Sequence, residues 1–233
     1  MKFFKDKGYL EKIKFIDKTV LKDLEDLYNH ELNKNAEKIV KIDFVKLDNF
    51  KILNSINKSL IEFVKKEIGL NIVLRNIWLQ RSTYETVHTG LPYIPHIDKK
   101  RYFKIFLYLN NIKIENGPLN VSTNSIIADN EIKRKQWWHN VSDKNIDQIN
   151  KENAHGVVEK NKNINFKPLC LPAGSIIGLD TNCAHFAGHI KKGFKRKILR
   201  FNYYSNFENS FDIKYLRKKF LLNLIKIKNC YVN

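Results

Sequence analysis

The chain has 233 residues, 43% hydrophobic and 12% aromatic, which suits a packed core and excludes a disordered polymer. Its 42 basic and 24 acidic side chains leave a formal net charge of +18. That excess is scattered rather than gathered into a stripe, and no nucleic-acid-binding motif accompanies it.

We read the charge as compositional bias, because Lys is used heavily everywhere, although it still attracts anions. Cys170, Cys183 and Cys230 have neither metal-ligand spacing nor an even-numbered framework, which fits free thiols in a reducing compartment. No segment reaches the roughly 20 apolar residues that span a bilayer. The charged opening, Met1 to Lys7, is no signal peptide. We expect a soluble, cytoplasmic protein that works on small molecules rather than nucleic acid. Its oligomeric state is open.

Residues 1–16 predict a short lead strand with Tyr9, Ile13 and Phe15 as its apolar members. Asp17 then caps a helix, and Val20, Leu21, Leu24, Leu27 and Tyr28 fall on one face of it. The polar stretch Asn33 to Lys38 ends it. A second helix is predicted from about Asp48 to Glu67, with Gly69 at its stop. Its stripe is Ile52, Leu53, Ile56, Leu60, Phe63, Val64 and Ile68. The two stripes predict a helical buttress, over about residues 17–70, on the outside of a sheet.

From Asn71 the pattern becomes β. A strand with Val73, Ile77 and Leu79 carries Gln80 and Arg81. Thr89-Gly90-Leu91-Pro92 is a turn, the segment with His96 and Asp98 follows, and Ile105–Leu109 comes next. Asn116-Gly117-Pro118 turns the chain before Leu119 and Val121. Residues 125–165 are polar and poorly periodic apart from Trp137-Trp138. They predict a lid-like excursion with some helix rather than barrel strands. Strand character resumes at Pro168–Pro172, turns at Ala173-Gly174, runs through Ile176–Asp180 to His185, and closes with Ile198–Tyr204. Tyr215, Leu216, Phe220, Leu221, Leu224 and Ile225 predict a basic amphipathic helix over about 211–228. The predicted fold class is mainly β with flanking helices (α+β): a double-stranded β-helix, the cupin-like jelly roll, over about 71–204 in one domain spanning 1–233.

Two residues apart on an extended segment, His96 and Asp98 point the same way. An imidazole and a carboxylate meeting at one point are two thirds of the 2-His-1-carboxylate triad that holds non-haem Fe(II) with open positions. His185 or His189 supplies a third ligand. A keto-acid co-substrate needs a cation for its far carboxylate, and arginine's planar fork suits it. Arg196 and Arg200 follow the two histidines at equal separations. His30, His88, His139 and His155 are read as structural or solvated.

In this order the motifs resemble the phytanoyl-CoA dioxygenase family of Fe(II)/2-oxoglutarate oxygenases, whose relatives include ectoine hydroxylase. The resemblance rests on Pro95-His96-Ile97-Asp98, Phe106-Leu107-Tyr108-Leu109-Asn110, Glu115-Asn116-Gly117-Pro118-Leu119, Ala173 to Asp180, His185-Phe186-Ala187-Gly188 and Arg196. It covers most of the chain except 125–165 and the tail. It implies Fe(II) on His96, Asp98 and His185, since the family's spacing from Gly174 selects His185 over His189. It implies 2-oxoglutarate on Arg196, with Tyr102, Gln80 and Tyr108 as further contacts. Arg81, Lys100, Trp137 and Trp138 are substrate candidates. The implied reaction consumes O2, releases succinate and CO2, and hydroxylates an unactivated C–H bond of a small or carrier-linked metabolite; the basic residues near the site are open to two readings, an anionic substrate or a solvated charged surface.

Asp98 disfavours the halogenase variant, which needs a small residue there. Ser175 departs from the family's usual Asp, Ala187 from its small hydroxylated residue, and Ile190 from its Asn. The competing readings are a non-oxidative cupin-like binding protein or sugar epimerase, and a basic nucleic-acid binder.

Overall fold

The computed structural model describes residues 7–34, 38–85, 91–93, 95–98, 101–123, 156–157 and 164–205. The apolar stripes and the strand alternation divide the core into two layers. The lead strand β1 (Tyr9–Lys12) precedes helix α1 (Lys18–Lys34), then β2 (Ile39–Asp43), α2 (Lys51–Ile68) and β3 (Ile72–Thr83). Short strands β4 (His96–Ile97), β5 (Phe103–Tyr108), β6 (Leu119–Ser122), β7 (Gly156–Val157) and β8 (Phe166–Pro168) follow. The described chain ends with β9 (Ile176–Asp180), β10 (His185–Ala187) and β11 (Lys195–Ser205).

Local signals set the helix ends. Asp17 Oδ1 accepts the Val20 N–H at 2.9 Å, satisfying a donor that the helix start leaves orphaned. Gly69 adopts the left-handed conformation at φ 66° and returns its N–H to Lys65.

All strand pairs are antiparallel among the described residues. The larger sheet runs β1-β9-β5-β11-β3-β2 and the smaller β7-β4-β10-β6-β8. Ile77, Leu79, Ile105, Leu107, Leu199 and Phe201 of the large sheet join Leu24 and Tyr28 of α1 and Leu53, Leu60 and Val64 of α2 in one core. The alternate residues Phe106, Tyr108, Ile177, Leu179 and Ile198 meet Leu119 and Val121 of the small sheet in a second core. This is a jelly roll with a helical layer on one outer face.

The inner face of the large sheet forms a ladder, because register partners project to the same side. Arg196 pairs Ser82. Ile198 pairs Gln80 and Tyr108. Arg200 pairs Trp78 and Phe106, and Asn202 pairs Asn76 and Lys104.

Two expectations are corrected. The helical buttress is interrupted by β2, which pairs with β3 from Ile39↔Gln80 to Asp43↔Asn76. The excursion over 125–165 is not wholly outside the barrel, since Gly156 and Val157 pair with Ile97 and His96. The predicted C-terminal helix, Trp137, Trp138 and Lys100 lie outside the described residues.

Candidate metal centre

Strands β4 and β10 are neighbours, and His185 stands directly opposite His96. Asp98, two residues after His96, shares their side. Its N–H donates to the Thr181 carbonyl at 3.1 Å, which ties this segment to the end of β9. The three side chains converge, with one ligand atom from each lying within 4.8 Å of the others. Both Nε2 atoms are 3.7 Å from Asp98 Oδ1, too long for hydrogen bonds. The residues are 4–6% exposed.

The tautomer of His185 is set by its surroundings. Nδ1 lies 2.9 Å from the Cys183 carbonyl. A carbonyl only accepts, so Nδ1 carries the proton and Nε2 keeps its lone pair toward the centre. The turn that aims that carbonyl is held by Asp180. This fully buried carboxylate takes the Arg101 fork, with Nη2 at 2.6 Å and Nε at 3.1 Å. It also accepts the Asn182 N–H at 3.0 Å. Arg101, the sequence neighbour of the substrate candidate Lys100, is therefore part of the scaffold behind His185.

Lys104 was not singled out by the sequence pattern. Its Nζ pairs with Asp98 Oδ2, leaving Oδ1 toward the imidazoles. Burial lowers the lysine's pKa and Asp98 pulls it back up. The available signal was a lone cation inside the apolar run Phe103–Leu109, where lysine is rarely buried unless paired.

Arg196 is 4% exposed. Its Nη1 donates to the Gly117 carbonyl, it bonds the Tyr93 side chain, and burial lowers its pKa. Its Nε has no partner among the described residues. Gly117 is left-handed at φ 65°, and a Cβ there would collide with the Gly188 carbonyl, so this turn admits only glycine. Tyr93 carried no sequence signal.

The structure brings His185, not His189, to His96 and Asp98. His189 stacks instead on Tyr93, with ring centroids 5.7 Å apart. Gln80 is on the inner ladder between Arg196 and Arg200, its Nε2 3.4 Å from Ser82 Oγ. The Tyr108 hydroxyl accepts from Leu119 N–H at 3.3 Å and donates to the Leu169 carbonyl at 3.4 Å. It clamps the sheets together, and burial pushes its pKa to about 12.

Two expectations move. Tyr102 sits at the far end of the ladder from Arg196, its ring 6.0 Å from Tyr204 and under Arg75. Arg81 faces the helical layer, with Nη2 3.5 Å from Asn33 Oδ1 of α1. It is on the opposite sheet face from the centre, because it alternates with Gln80.

Solved structures that share this jelly roll include proteins described as non-haem and α-ketoglutarate-dependent enzymes. The epimerase SnoN, solved with Fe3+, α-ketoglutarate and nogalamycin RO, superposes with a TM-score of 0.61 at 11% identity, covering 86% of this chain and 80% of its own. HygX from Streptomyces hygroscopicus, solved with nickel and 2-oxoglutarate, gives 0.58 at 10% identity, covering 87% and 84%. The α-ketoglutarate-dependent carbocyclase SnoK gives 0.59 at 10% identity, covering 93% and 88%. No protein-family model and no curated protein matches the sequence.

Proposed function

We propose that the chain is an Fe(II)- and 2-oxoglutarate-dependent dioxygenase of the phytanoyl-CoA dioxygenase type. In this reading it hydroxylates an unactivated C–H bond of a small or carrier-linked metabolite. The observation that carries it is the convergence of His96, Asp98 and His185 on one buried point. Two imidazoles and one carboxylate are the donor set of a facial non-haem iron site with open positions. The orphaned Nε of Arg196 fits the second requirement, a buried fork for the far carboxylate of 2-oxoglutarate.

His96 Nε2, Asp98 Oδ1 and His185 Nε2 would hold the metal. Iron with 2-oxoglutarate and O2 supplies the oxidising equivalents that release succinate and CO2 and open the C–H bond. The chain's own residues prepare that site. Lys104 fixes Asp98 through Oδ2, and Cys183 fixes the His185 tautomer. Arg196 orients the co-substrate from deep in the barrel. Tyr108, Leu119 and Ile198 keep that end dry, which strengthens the electrostatic contacts made there.

The test is succinate release from 2-oxoglutarate under air with Fe(II), with Asp98→Ala as control. The reading expects wild-type turnover and none from the variant. Equal release from both, or none from the iron-loaded wild type, rejects it. Mass analysis of a stimulating metabolite then separates hydroxylation, which adds an oxygen atom, from an epimerisation, the activity of SnoN, which leaves the mass unchanged.

A further inference from the structure

Arg200 lies four residues beyond Arg196 on β11, about 13 Å along the strand on the same inner face. Its guanidinium lies over Trp78, with Cζ 4.0 Å from the ring centroid. Trp78 is itself fixed, its Nε1–H donating to Asn76 Oδ1 at 3.0 Å, and that oxygen also takes Asn202 Nδ2 at 2.7 Å. The Arg200 Nε is buried and has no partner among the described residues, yet the side chain as a whole is only partly buried. A rigid, aimed guanidinium thus carries a donor that an oxyanion would satisfy.

Among the described residues the charge around it is unbalanced. The opposing charge at Arg200 is Asp98. Asp98 already carries Lys104, and a divalent ion at the centre draws on the same carboxylate. Buried cations in excess are costly unless an anion joins them. A third cation is turned to the same end. The β3–β11 register slips between Asn202 and Tyr203, leaving Arg75 without a partner in β11. Bulges of this kind re-aim side chains beside active sites. Arg75 Cζ lies 5.3 Å from the Tyr102 ring centroid and 5.9 Å from that of Tyr204.

We propose that Arg200, flanked by Lys104 and Arg75, receives an oxyanion of the substrate, a carboxylate or a phosphate, at a site separate from the co-substrate's. The proposal rests on the dioxygenase reading in assigning Arg196 to 2-oxoglutarate. It makes the substrate an anion whose charged group anchors at the metal end of the ladder. Two parallel hydrogen bonds from Nε and Nη are the contact that a guanidinium offers such a group.

The experiment titrates inorganic phosphate, and separately acetate, into nickel-loaded protein with saturating 2-oxoglutarate, and into metal-free protein, by calorimetry. Wild type is expected to bind at least one anion without displacing 2-oxoglutarate. The stronger of the two names the oxyanion class. Arg200→Gln should weaken that anion about tenfold or more while leaving 2-oxoglutarate affinity unchanged, and Arg200→Lys should retain part of the binding.

The proposal is overturned if neither anion binds, or if the bound anion and 2-oxoglutarate exclude one another on wild type. It is also overturned if Arg200→Gln binds the anion like wild type or loses 2-oxoglutarate instead. Competition on wild type and the lysine variant decide the matter if the glutamine variant fails to fold. Failure of the co-substrate reading shows separately, as nickel-loaded wild type that does not take up 2-oxoglutarate. The metal-free titration still reports on Arg200 in that case.

Discussion

The two faces of the large sheet come from the same strands and do opposite work. On β5, Phe103, Ile105 and Leu107 point outward into the core shared with α1 and α2. Lys104, between them, points inward to Asp98. On β11, Leu199 and Phe201 are dry and apolar, whereas Arg196 and Arg200 each bury an Nε with no partner among the described residues. One face is packed for stability. The other tolerates unsatisfied donors and excess charge, which lower stability, where the proposed metal and anion sites lie.

The sharpest way to break this contrast is at the centre itself. His96→Ala and Asp98→Ala should reduce 2-oxoglutarate-dependent succinate formation to background and abolish stoichiometric metal uptake, with thermal stability of the metal-free protein preserved. Retained metal stoichiometry in either variant would contradict the assignment of these residues. The outer face predicts the converse. Leu199→Ala or Ile105→Ala should cost about 2–5 kcal/mol, a fall of roughly 4–20 °C in Tm, with metal affinity unaltered. A matching loss of metal affinity would show that the faces are not separable.

Lys104→Met tests the boundary between them. Removing the partner of Asp98 Oδ2 should weaken metal binding about 10–100-fold, the usual effect of losing a residue that orients a ligand. A calorimetric affinity equal to wild type would reduce Lys104 to charge compensation. The smallest effect is expected from Arg200→Met, which should raise the Tm of the metal-free protein by a few degrees, because a guanidinium whose buried Nε has no partner among the described residues is replaced by an apolar chain.

The pH dependence of that gain follows from burial, which lowers the Arg200 pKa to about 10. Below that pH the guanidinium is charged in both folded and unfolded chains, and the burial penalty is present in full. As pH rises through about 10, the folded state sheds the proton first and the penalty fades. The advantage of Arg200→Met should therefore be constant near neutrality and shrink above pH about 10. An advantage that grows with pH would contradict this account.

Much of this was legible from local patterns. Asp17 and Gly69 mark helix ends through the orphan groups of their own turns. Period-2 alternation located the principal strands and placed His96 beside Asp98, because those rules act over a few residues. The same alternation already forbids Gln80 and Arg81 from facing one chamber. Tertiary structure alone decided the rest. Which histidine meets His96 depends on the register of β10 against β4, set by contacts about ninety residues apart in the sequence. The short strands β2 and β7 are stabilised by neighbours rather than by propensity. Lys104, Tyr93 and Arg200 acquired their roles from what the fold placed opposite them. A side chain's period is written in its neighbours along the chain, but its partner across a sheet is chosen by long-range packing.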